Sequence, residues 1–571
     1  MNRSPMRERS PLDDPPQENF EVEEEPLRSD KRFSSLPATP RRQRQRRPSV
    51  PAKFQEVAVL RWFVVALTVI TIIVFTVLYF ANSGKKDSRE ASAAAHTGSS
   101  YDTGFNMKQN WGSYSPYFDT GVPFDGVSRK ALDGNHGLPP TCKLKQVHVL
   151  HRHGDRYPAE GTQKKMEKVA DRLIEWRESH EVPEPLAWLK DWSYDLGEEL
   201  LVGAGVGALF ESGAKFWGSH GSLLYGNASA QPAWSDEVNK YPNGTQRPKP
   251  LIRATSQQRI QDSARAWAAG FFGTYGFPSS GVNPLDHYNL LLMEETAKNN
   301  NSMAGYFACP NSGTEKANVG KDLSNEWVDV YLEDAATRLQ KVLPGIGNLT
   351  APECLAIQDL CAFETAAFGA SPFCTLFTEQ EWRGFEYHAD LKFWGESAWG
   401  SEIGPATGLP WLTELRGFLK HELIKKPQNG VNHTLASDPE SFPVNQPFTA
   451  DFTHDSVITS VLAALQFPFT KEQLTSHKIK VPRQMIMSRL TPFAARFYVE
   501  VLSCGTGSNA GDYVRLRLND RVLPIGDLKF CTDDEKRLGL CPLHDFMKHL
   551  DFALKTDFDR ICYGKENDTN N

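Results

Sequence analysis

The feature that most constrains this chain is the segment LHRHGDRYP at residues 150–158, which joins a strand pattern to a helix pattern. Residues 145–150 are predicted to form a strand, with Val147 and Val149 on one face. Residues 160–176 are predicted to form a helix, because apolar side chains recur there at helical spacing. The segment therefore lies at the carboxyl end of a strand, which is where α/β sheets bind their ligands.

The side chains of this segment suit the binding and transfer of a phosphate group. Arg152 and Arg156 carry guanidinium groups whose planar N–H donors match phosphate oxygens in shape and charge. His153 lies between them, and an unprotonated imidazole can attack phosphorus. A lone Arg-His pair is better explained as a basic turn in solvent, so other parts of the chain must discriminate.

Two later segments repeat the strand-to-helix pattern and place polar groups where a strand ends. A short strand ends at Arg253, and a helix is predicted over residues 257–272. A second strand, over residues 448–453, leads into His454 and Asp455 at the start of another helix. Helix N-termini add free N–H groups and a positive dipole end. Each segment alone is explained as a surface arginine or a helix cap, whereas together they predict a phosphate-binding centre.

The N-terminal part of the chain predicts a membrane anchor. Residues 1–57 are rich in Pro, Arg, Glu and Ser, so we expect a disordered tail. Residues 62–81 carry no charge and are long enough to cross a bilayer, which predicts a transmembrane helix over residues 58–81. A buried core helix is the alternative, but it would normally show a polar face. Basic residues, including the cluster at 41–47, lie mainly before this run, so the positive-inside rule predicts a single-pass type II membrane protein.

Cysteines and glycosylation sequons agree with that topology. All nine cysteines follow the apolar run. Six Asn-x-Ser/Thr sequons also follow it, at Asn227, Asn243, Asn300, Asn348, Asn432 and Asn567. Residues 82–105 are rich in Ser, Gly and Ala and are predicted to form a flexible stalk. Residues 106–567 would then form an extracellular or lumenal domain.

Composition limits the kinds of protein this chain can be. The chain has 571 residues, 40% of them hydrophobic, which is enough for a large core and more than one domain. Its formal charge of −7 and pI near 6.1 give no nucleic-acid-binding signature, so no nucleic-acid partner is expected.

Residues 300–430 are mainly helical in pattern and predict a helical subdomain packed over one end of the sheet. Residues 496–523 predict a run of strands. We find neither a P-loop nor a zinc-type cysteine spacing.

These residues resemble the histidine acid phosphatases, and most closely their fungal phytase branch. Residues 152–158 match the RHGxRxP signature, and His454-Asp455 matches the distal HD motif. Arg253 is assigned by this resemblance to the third phosphate-binding arginine. The resemblance extends from Trp111 to about Cys562. Stretches outside the three motifs also match, at residues 111–118, 371–378, 404–408, 432–435 and 519–522.

The resemblance implies a fold and a mechanism. The fold would be α/β, with a mainly parallel sheet sandwiched by helices as in phosphoglycerate mutase, and a smaller helical domain beside the cleft. His153 would attack phosphorus and form a phosphohistidine, and Asp455 would protonate the leaving alkoxide and later help to activate water. The groups that would hold the non-bridging oxygens are Arg152, Arg156, Arg253 and His454. Positive neighbours should keep His153 neutral in acid. A protonated Asp455 predicts an acidic pH optimum, and no cofactor or metal is implied.

The resemblance also implies a disulfide pattern. The pairs would be Cys142–Cys504, Cys309–Cys562, Cys361–Cys374 and Cys531–Cys541. Cys354 is left over, and it would be either a buried thiol or a link between chains. Residues alone would not have decided these partners.

Two residues bear on the choice of substrate. Asp155 places an acid inside the signature, where it would repel a polyanion, and Lys392 is the one basic residue of 391–393. A pocket for phytate would benefit from several lysines. Asp455 argues against relatives that carry His-Ala-Glu at the distal motif and act on inositol polyphosphates.

The sequence therefore predicts a phosphomonoester hydrolase outside the cytosol, an acid phosphatase or a phytase that acts on a small phosphorylated substrate. One alternative is an inactive surface protein that binds a phosphorylated ligand on the same fold. Another is a phosphatase with a narrow substrate range, held in an internal membrane by the arginine cluster at residues 41–47.

Overall fold

The structure is a computed structural model, and it describes residues 104–128, 131, 137–225, 234, 236–241, 243–273, 287–505, 510–532 and 538–564. All of them belong to the second of the chain's two compact units, which spans residues 103–571. The predicted tail, the predicted transmembrane helix and nearly all of the predicted stalk lie outside the described residues. Within the described ranges, no helix is both long and apolar enough to cross a membrane.

One mixed sheet lies at the centre of the domain. In chain order its strands are β1 (Cys142–Arg152), β2 (Leu251–Thr255), β3 (Asn289–Met293), β4 (Phe448–Thr453), β5 (Arg496–Cys504), β6 (Gly511–Leu518), β7 (Arg521–Val522) and β8 (Leu540–Pro542). Their order in space is β3-β2-β4-β1-β5-β6-β7, and β8 pairs with β6. β1 therefore lies in the middle of the sheet. Its last residue, Arg152, belongs to the segment that first suggested a phosphate site.

The sheet is mixed rather than mainly parallel, which corrects the prediction. β3, β2, β4 and β1 run parallel to one another, whereas β5 to β8 pair antiparallel. β5, β6 and β7 follow one another through short connections, and a short connection can join only antiparallel strands. The parallel half brings the carboxyl ends of β1, β2 and β4 to one edge of the sheet, as a phosphate site at those ends requires.

The helices surround this sheet and form a separate helical part. In chain order they are α1 (Glu160–Ser179), α2 (Gly203–Phe216), α3 (Ser222–Leu224), α4 (Gln258–Phe272), α5 (Val319–Val342), α6 (Ala351–Phe368), α7 (Glu379–Ser397), α8 (Ile403–Lys420), α9 (His433–Ala436), α10 (Asp455–Ala464), α11 (Met487–Leu490), α12 (Leu543–Ala553) and α13 (Phe558–Tyr563). The predicted strand at 448–453 matches β4, and the predicted helices at 160–176 and 257–272 match α1 and α4 to within three residues at each end.

Three buried clusters of apolar side chains hold these layers together. α2 and α4 cover one face of the sheet with residues such as Phe216 and Trp267, while α8 and α10 cover the other face. A third cluster joins α1, α5 and α6 with the start of α7. The helices of the subdomain predicted over residues 300–430 therefore belong to two different parts of the structure. α8 belongs to the layer on the sheet, because its apolar face packs on α10, and α1 joins the helical part.

The described residues contain four disulfides, and these join the pairs that the resemblance implies. They are Cys142–Cys504, Cys309–Cys562, Cys361–Cys374 and Cys531–Cys541. Cys354 is a free thiol buried in the helical part, where burial raises its pKa to about 12. Of the two alternatives for Cys354, a buried thiol or a link between chains, the structure shows the buried thiol.

The predicted sequons lie partly on the described surface. Asn243, Asn300 and Asn348 are exposed, and Asn432 is half-buried because its side chain caps α9. Asn227 and Asn567 lie outside the described residues.

Candidate active site

The signature segment turns sharply after β1, and two glycines allow the turn. A Cβ atom on Gly154 would lie 2.5 Å from the carbonyl oxygen of Gly205 on α2. A Cβ atom on Gly205 would lie 2.1 Å from the carbonyl oxygen of Asp155. Any larger residue at either position would separate the turn from the helix. The backbone of residues 153–156 therefore packs directly on α2, which fixes the side chains of the turn.

The ring of His153 is buried at this turn and is held in one tautomer. Its Nδ1 lies 2.9 Å from the carbonyl oxygen of Gly154. Because a carbonyl oxygen only accepts, Nδ1 carries the proton and Nε2 keeps its lone pair. Burial first, and then the positive charges of Arg152, Arg156 and Arg259, hold the pKa of His153 well below its usual value. The imidazole is therefore neutral in acid, as the sequence predicts, although burial is the larger cause.

Arg152 is fully buried beside this ring. Its Nη1 donates to the carbonyl oxygens of Ser113 and Thr491, the second at 2.7 Å, and its guanidinium carbon lies 4.5 Å from the centre of the Phe493 ring. Its Nη2 lies 2.8 Å from Oδ2 of Asp455. Burial lowers the pKa of Arg152 to about 10, so the group remains a cation throughout the acidic range.

Arg156 and Arg259 also lie near the His153 ring, because the charge of each lowers its pKa. Nη1 of Arg156 donates to the carbonyl oxygen of Tyr157 at 2.8 Å. Arg259 lies in the first turn of α4 and forms an ion pair with Glu199. The buried Nε atoms of Arg152, Arg156 and Arg259 have no hydrogen-bond acceptor among the described residues. Three guanidinium groups therefore present N–H donors that a bound oxyanion could satisfy.

Arg253 is not part of this group, which corrects its assignment as the third phosphate-binding arginine. It lies in the middle of β2, opposite Asp451, and its Nε and Nη2 each donate to that carboxylate at 2.7 Å. Its Nη1 lies 2.8 Å from Glu414. A side chain in mid-strand points onto a sheet face rather than off the carboxyl edge. Arg259, six residues later at a helix N-terminus, is the arginine that the structure places near His153.

His454 lies across from His153, with the two ring centres 5.9 Å apart in an edge-to-face arrangement. Its Nε2 donates to Oε1 of Glu295 at 3.0 Å. Burial alone would raise the pKa of Glu295, but the hydrogen bond and charge of His454, together with hydrogen bonds from Thr255 and Tyr306, lower it. Glu295 thus accepts the Nε2 proton of His454, and a ring that is also protonated on Nδ1 is a cation with a second N–H to offer an oxyanion. The sequence analysis missed Glu295. This residue follows β3 by only two positions, and α/β sheets bind their ligands at the carboxyl ends of strands, so its position could have been recognised.

Asp455 begins α10 and points at Arg152. Its Oδ1 accepts from the backbone N–H of Ser456 at 2.9 Å, and its Oδ2 is the partner of Arg152. Burial would raise the pKa of Asp455, but the charges of Arg152, His454 and Arg156 together lower it below its ordinary value. The carboxyl is therefore ionised in the free site at mildly acidic pH. This differs from the expectation of a protonated Asp455, because its cationic partner stabilises the carboxylate.

The two residues predicted to affect substrate choice lie in different places. Asp155 is 4% exposed, and burial raises its pKa to about 6, so it is not a surface acid at the mouth of the site. Lys392 is exposed on α7, and Glu396 one turn away raises its pKa. Lys165 on α1, which the sequence did not single out, is also exposed. Both lysines lower the pKa of His388, after burial, and so lie in one neighbourhood.

Comparison with known proteins agrees with this geometry. Residues 143–519 match the family profile described as histidine phosphatase superfamily (branch 2). Phytase A of Arthroderma benhamiae is 30% identical over 457 residues, which cover 78% of this chain and 90% of that protein. Phytase A of Aspergillus oryzae is 31% identical over 456 residues, which cover 78% and 88%.

Solved structures share the fold. The phytase from D. castellii aligns with a TM-score of 0.62 and 22% identity, over 81% of this chain and 89% of that one. A multiple inositol polyphosphate phosphatase of Bifidobacterium longum, solved with inositol hexasulfate, aligns with a TM-score of 0.52 and 14% identity, over 77% and 97%. With the site and the matched profile in agreement, this chain belongs to branch 2 of the histidine phosphatase superfamily and is a phosphoric monoester hydrolase of the acid phosphatase and phytase type.

Proposed function

We propose that the chain hydrolyses phosphomonoesters outside the cytosol in two steps, through a phosphohistidine at His153. The observation that carries this proposal is the state of His153. Its Nε2 lone pair is free, its pKa is lowered, and three guanidinium groups surround the same space. A neutral nucleophile close to positive charge attacks a phosphate ester without losing its lone pair to a proton.

Non-bridging oxygens of the substrate would be held by the cations around the ring. The proposed ligands are Arg152, Arg156, Arg259 and His454, with Arg259 in place of Arg253. Backbone carbonyls, the Phe493 ring and Glu295 already hold these side chains in place, and the Nε–H groups of the three arginines are left without a protein acceptor among the described residues. Such preorganised donors stabilise the charge of the transition state without reorganisation at the moment of reaction.

Asp455 is the proposed proton donor, and its proton would arrive with the substrate. A phosphate on Arg152 would weaken the ion pair that keeps Asp455 ionised and would bring negative charge close to the carboxylate. Both effects raise the pKa of a carboxyl. Asp455 would then take up a proton, transfer it to the leaving alkoxide, and as a carboxylate accept a proton from the water that attacks the phosphohistidine. Proton uptake on binding favours an acidic optimum.

The proposed substrates carry several phosphates, with phytate as the leading candidate and other phosphomonoesters as the alternative. Glu396, and to a smaller extent Asp455, raise the pKa of Lys392, which places this lysine near the reacting centre, and Lys165 shares the neighbour His388 with it. We take the two lysines as a positive rim of the site, and the relatives named above are phytases. Such a rim would attract the phosphates of a polyanion that are not being cleaved.

A phosphate-release panel tests the proposal. We expect the purified full-length protein to release phosphate in acid from p-nitrophenyl phosphate, a sugar phosphate and phytate. Lys165→Ala with Lys392→Ala should lower kcat/KM for phytate about tenfold while leaving p-nitrophenyl phosphate nearly unchanged. Lys164→Ala is the matched control, because Lys164 pairs with Glu160 on the exposed side of α1. An equal loss for both substrates would argue against the rim, and no release from any ester would favour a binding protein without activity.

The proposed location is a single-pass type II membrane protein with the catalytic domain outside the cytosol. Four disulfides and three exposed sequon asparagines in the described residues support an oxidising, glycosylating compartment. Treatment of intact membranes with a protease should leave this domain intact in sealed vesicles and remove only the tail. Digestion of the domain under those conditions would contradict the topology.

A further inference from the structure

A short hairpin at residues 239–247 carries a glycosylation sequon at its turn. The backbone N–H of Gly244 donates to the carbonyl oxygen of Tyr241 at 2.8 Å, and the N–H of Tyr241 donates to the carbonyl oxygen of Thr245 at 2.8 Å. Gly244 has a φ of +84°, which a residue with a side chain rarely adopts. This pattern is that of a tight hairpin turn followed by a glycine bulge. Asn243, the acceptor of the sequon, lies within that turn.

The side chains of Tyr241, Asn243 and Thr245 lie on one face of the hairpin. Tyr241 and Thr245 stand opposite each other next to the bridge between Lys240 and Gln246, and residues paired in this way project their side chains to the same face. Oδ1 of Asn243 accepts from the hydroxyl of Thr245 at 2.7 Å and from its backbone N–H at 3.1 Å. The amide of Asn243 is therefore held on that face by its oxygen. Its Nδ2, the atom that a glycan would occupy, makes no hydrogen bond to the described residues.

The ring of Tyr241 offers a surface for the first sugar of a glycan at Asn243. Tyr241 is 38% exposed. The guanidinium carbon of Arg247 lies 5.0 Å from the centre of that ring, and the N–H of Arg247 donates to Asn239, one pair further from the turn. Arg247 therefore covers the ring from the strand side and leaves it open toward the turn. The C–H face of a sugar is apolar and can pack on an aromatic ring there.

The other sequons whose asparagine the structure describes lack this arrangement. In each of them the residue two positions before the asparagine is not aromatic: Lys298 before Asn300, Ile346 before Asn348 and Gly430 before Asn432. Nδ2 of Asn300 donates to the carbonyl oxygen of Val431 at 3.4 Å, and the side chain of Asn432 caps α9. Among the described sequons, Asn243 therefore combines a free Nδ2 with an aromatic ring on the same face.

We propose that Asn243 carries an N-linked glycan whose first N-acetylglucosamine packs on the ring of Tyr241 and stabilises the hairpin 239–247. The transfer joins C1 of that sugar to Nδ2 of Asn243 and breaks the C1–O bond to a lipid-linked diphosphate donor. The diphosphate leaves with the lipid, and the amide nitrogen gives up one of its two protons. The proposal rests on the proposed location of this domain in a glycosylating compartment, and it says what one glycan does there.

The packed sugar makes opening of the hairpin rarer. When the hairpin opens, the turn loses its shape, and the sugar separates from the Tyr241 ring. A contact with an aromatic ring reduces such opening about two- to tenfold. Hydrogen exchange measures this change, because the N–H groups of Tyr241 and Gly244 exchange only when their hydrogen bonds break.

The test is a double-mutant cycle on the full-length protein purified from a eukaryotic host, with hydrogen exchange measured at residues 239–247. Asn243→Gln should speed exchange there about two- to tenfold when Tyr241 is present, and should have little effect in a protein that also carries Tyr241→Ala. Trimming with endoglycosidase H, which leaves the first sugar attached, should preserve the slow exchange. Asn348→Gln removes the sequon of another exposed asparagine, and as the matched control it should leave exchange at 239–247 unchanged.

Mass spectrometry of the glycopeptides separates this inference from the proposed location. A glycan on Asn348 with none on Asn243 would overturn the inference and leave the location standing. The inference is also overturned if Asn243 is occupied but its loss changes exchange equally with and without the Tyr241 ring. Protein without a glycan at any sequon would contradict the location and the inference together. The proposed hydrolysis is independent of all these outcomes.

Discussion

Replacing Arg259 and Arg253 separately, each with glutamine, should give two different kinds of damage. The positive charge of Arg259 helps to lower the pKa of His153, and Arg259 lies at the N-terminus of α4, so its loss should weaken catalysis. Arg253 is bonded to Asp451 and Glu414 in the core, so its loss should weaken the fold. The two variants therefore test which arginine holds the substrate phosphate.

The expected magnitudes follow from burial. Removing one preorganised donor to the transition state costs about 2.7–4 kcal/mol, or roughly 10²–10³ in kcat. The partner of Arg259, Glu199, is 38% exposed on its side chain and can turn to water, so the free energy of unfolding should change by less than about 1 kcal/mol. Arg253→Gln leaves two carboxylates that are 1% and 2% exposed without their cation. Breaking such a buried pair costs about 3–5 kcal/mol, a large part of a typical domain's stability.

The assay combines steady-state kinetics on p-nitrophenyl phosphate at pH 5 with thermal unfolding of the same preparations. We expect Arg259→Gln to keep a thermal midpoint near that of wild type and to lose most of its turnover. Arg253→Gln should unfold at a lower temperature, with near-normal kcat per folded molecule. The reasoning is refuted if Arg259→Gln keeps activity within threefold of wild type. It is equally refuted if Arg253→Gln stays as stable as wild type and loses activity a hundredfold.

Two further predictions concern the chemical steps. His153→Ala should abolish turnover, and rapid acid quenching with radiolabelled substrate should trap a phosphoenzyme in wild type but none in the variant; label on the variant would place the nucleophile elsewhere. Asp455→Asn should lower kcat for alkyl phosphates by about 10²–10⁴, because their leaving oxygen needs a proton, and should affect p-nitrophenyl phosphate far less. Equal losses for the two substrate types would contradict a donor role for Asp455.

Local sequence patterns were sufficient to predict the elements that residues adjacent in the chain determine. β4 was predicted to the residue, since six buried residues run continuously and His454 directly precedes the next helix, which begins at Asp455. The strand before the segment 150–158 and the helix after it were also predicted, and they are β1 and α1. His153, Arg152 and Arg156 all lie close together, as their spacing indicates.

Partners distant in sequence decided what local patterns could not. Arg253 and Arg259 both follow the pattern of an arginine near a strand end, and only the position of Asp451, almost two hundred residues later, shows that Arg253 is neutralised. The antiparallel half of the sheet escaped prediction because β1 pairs with both β4 and β5, which no periodicity reveals. Lys165 lies on the exposed face of α1 and has no local feature that distinguishes it from its neighbours.

The central position of β1 has a consequence for synthesis of the chain. β1 pairs with β4 and β5. Cys142 at the start of β1 forms its disulfide with Cys504, which is synthesised 362 residues later. At a translation rate of about 5–20 residues per second, this separation corresponds to roughly 20–70 s between the two cysteines. During that interval both hydrogen-bonding edges of an apolar strand lack their final partners. The nascent domain thus needs protection of β1 from other chains until its last third has left the ribosome.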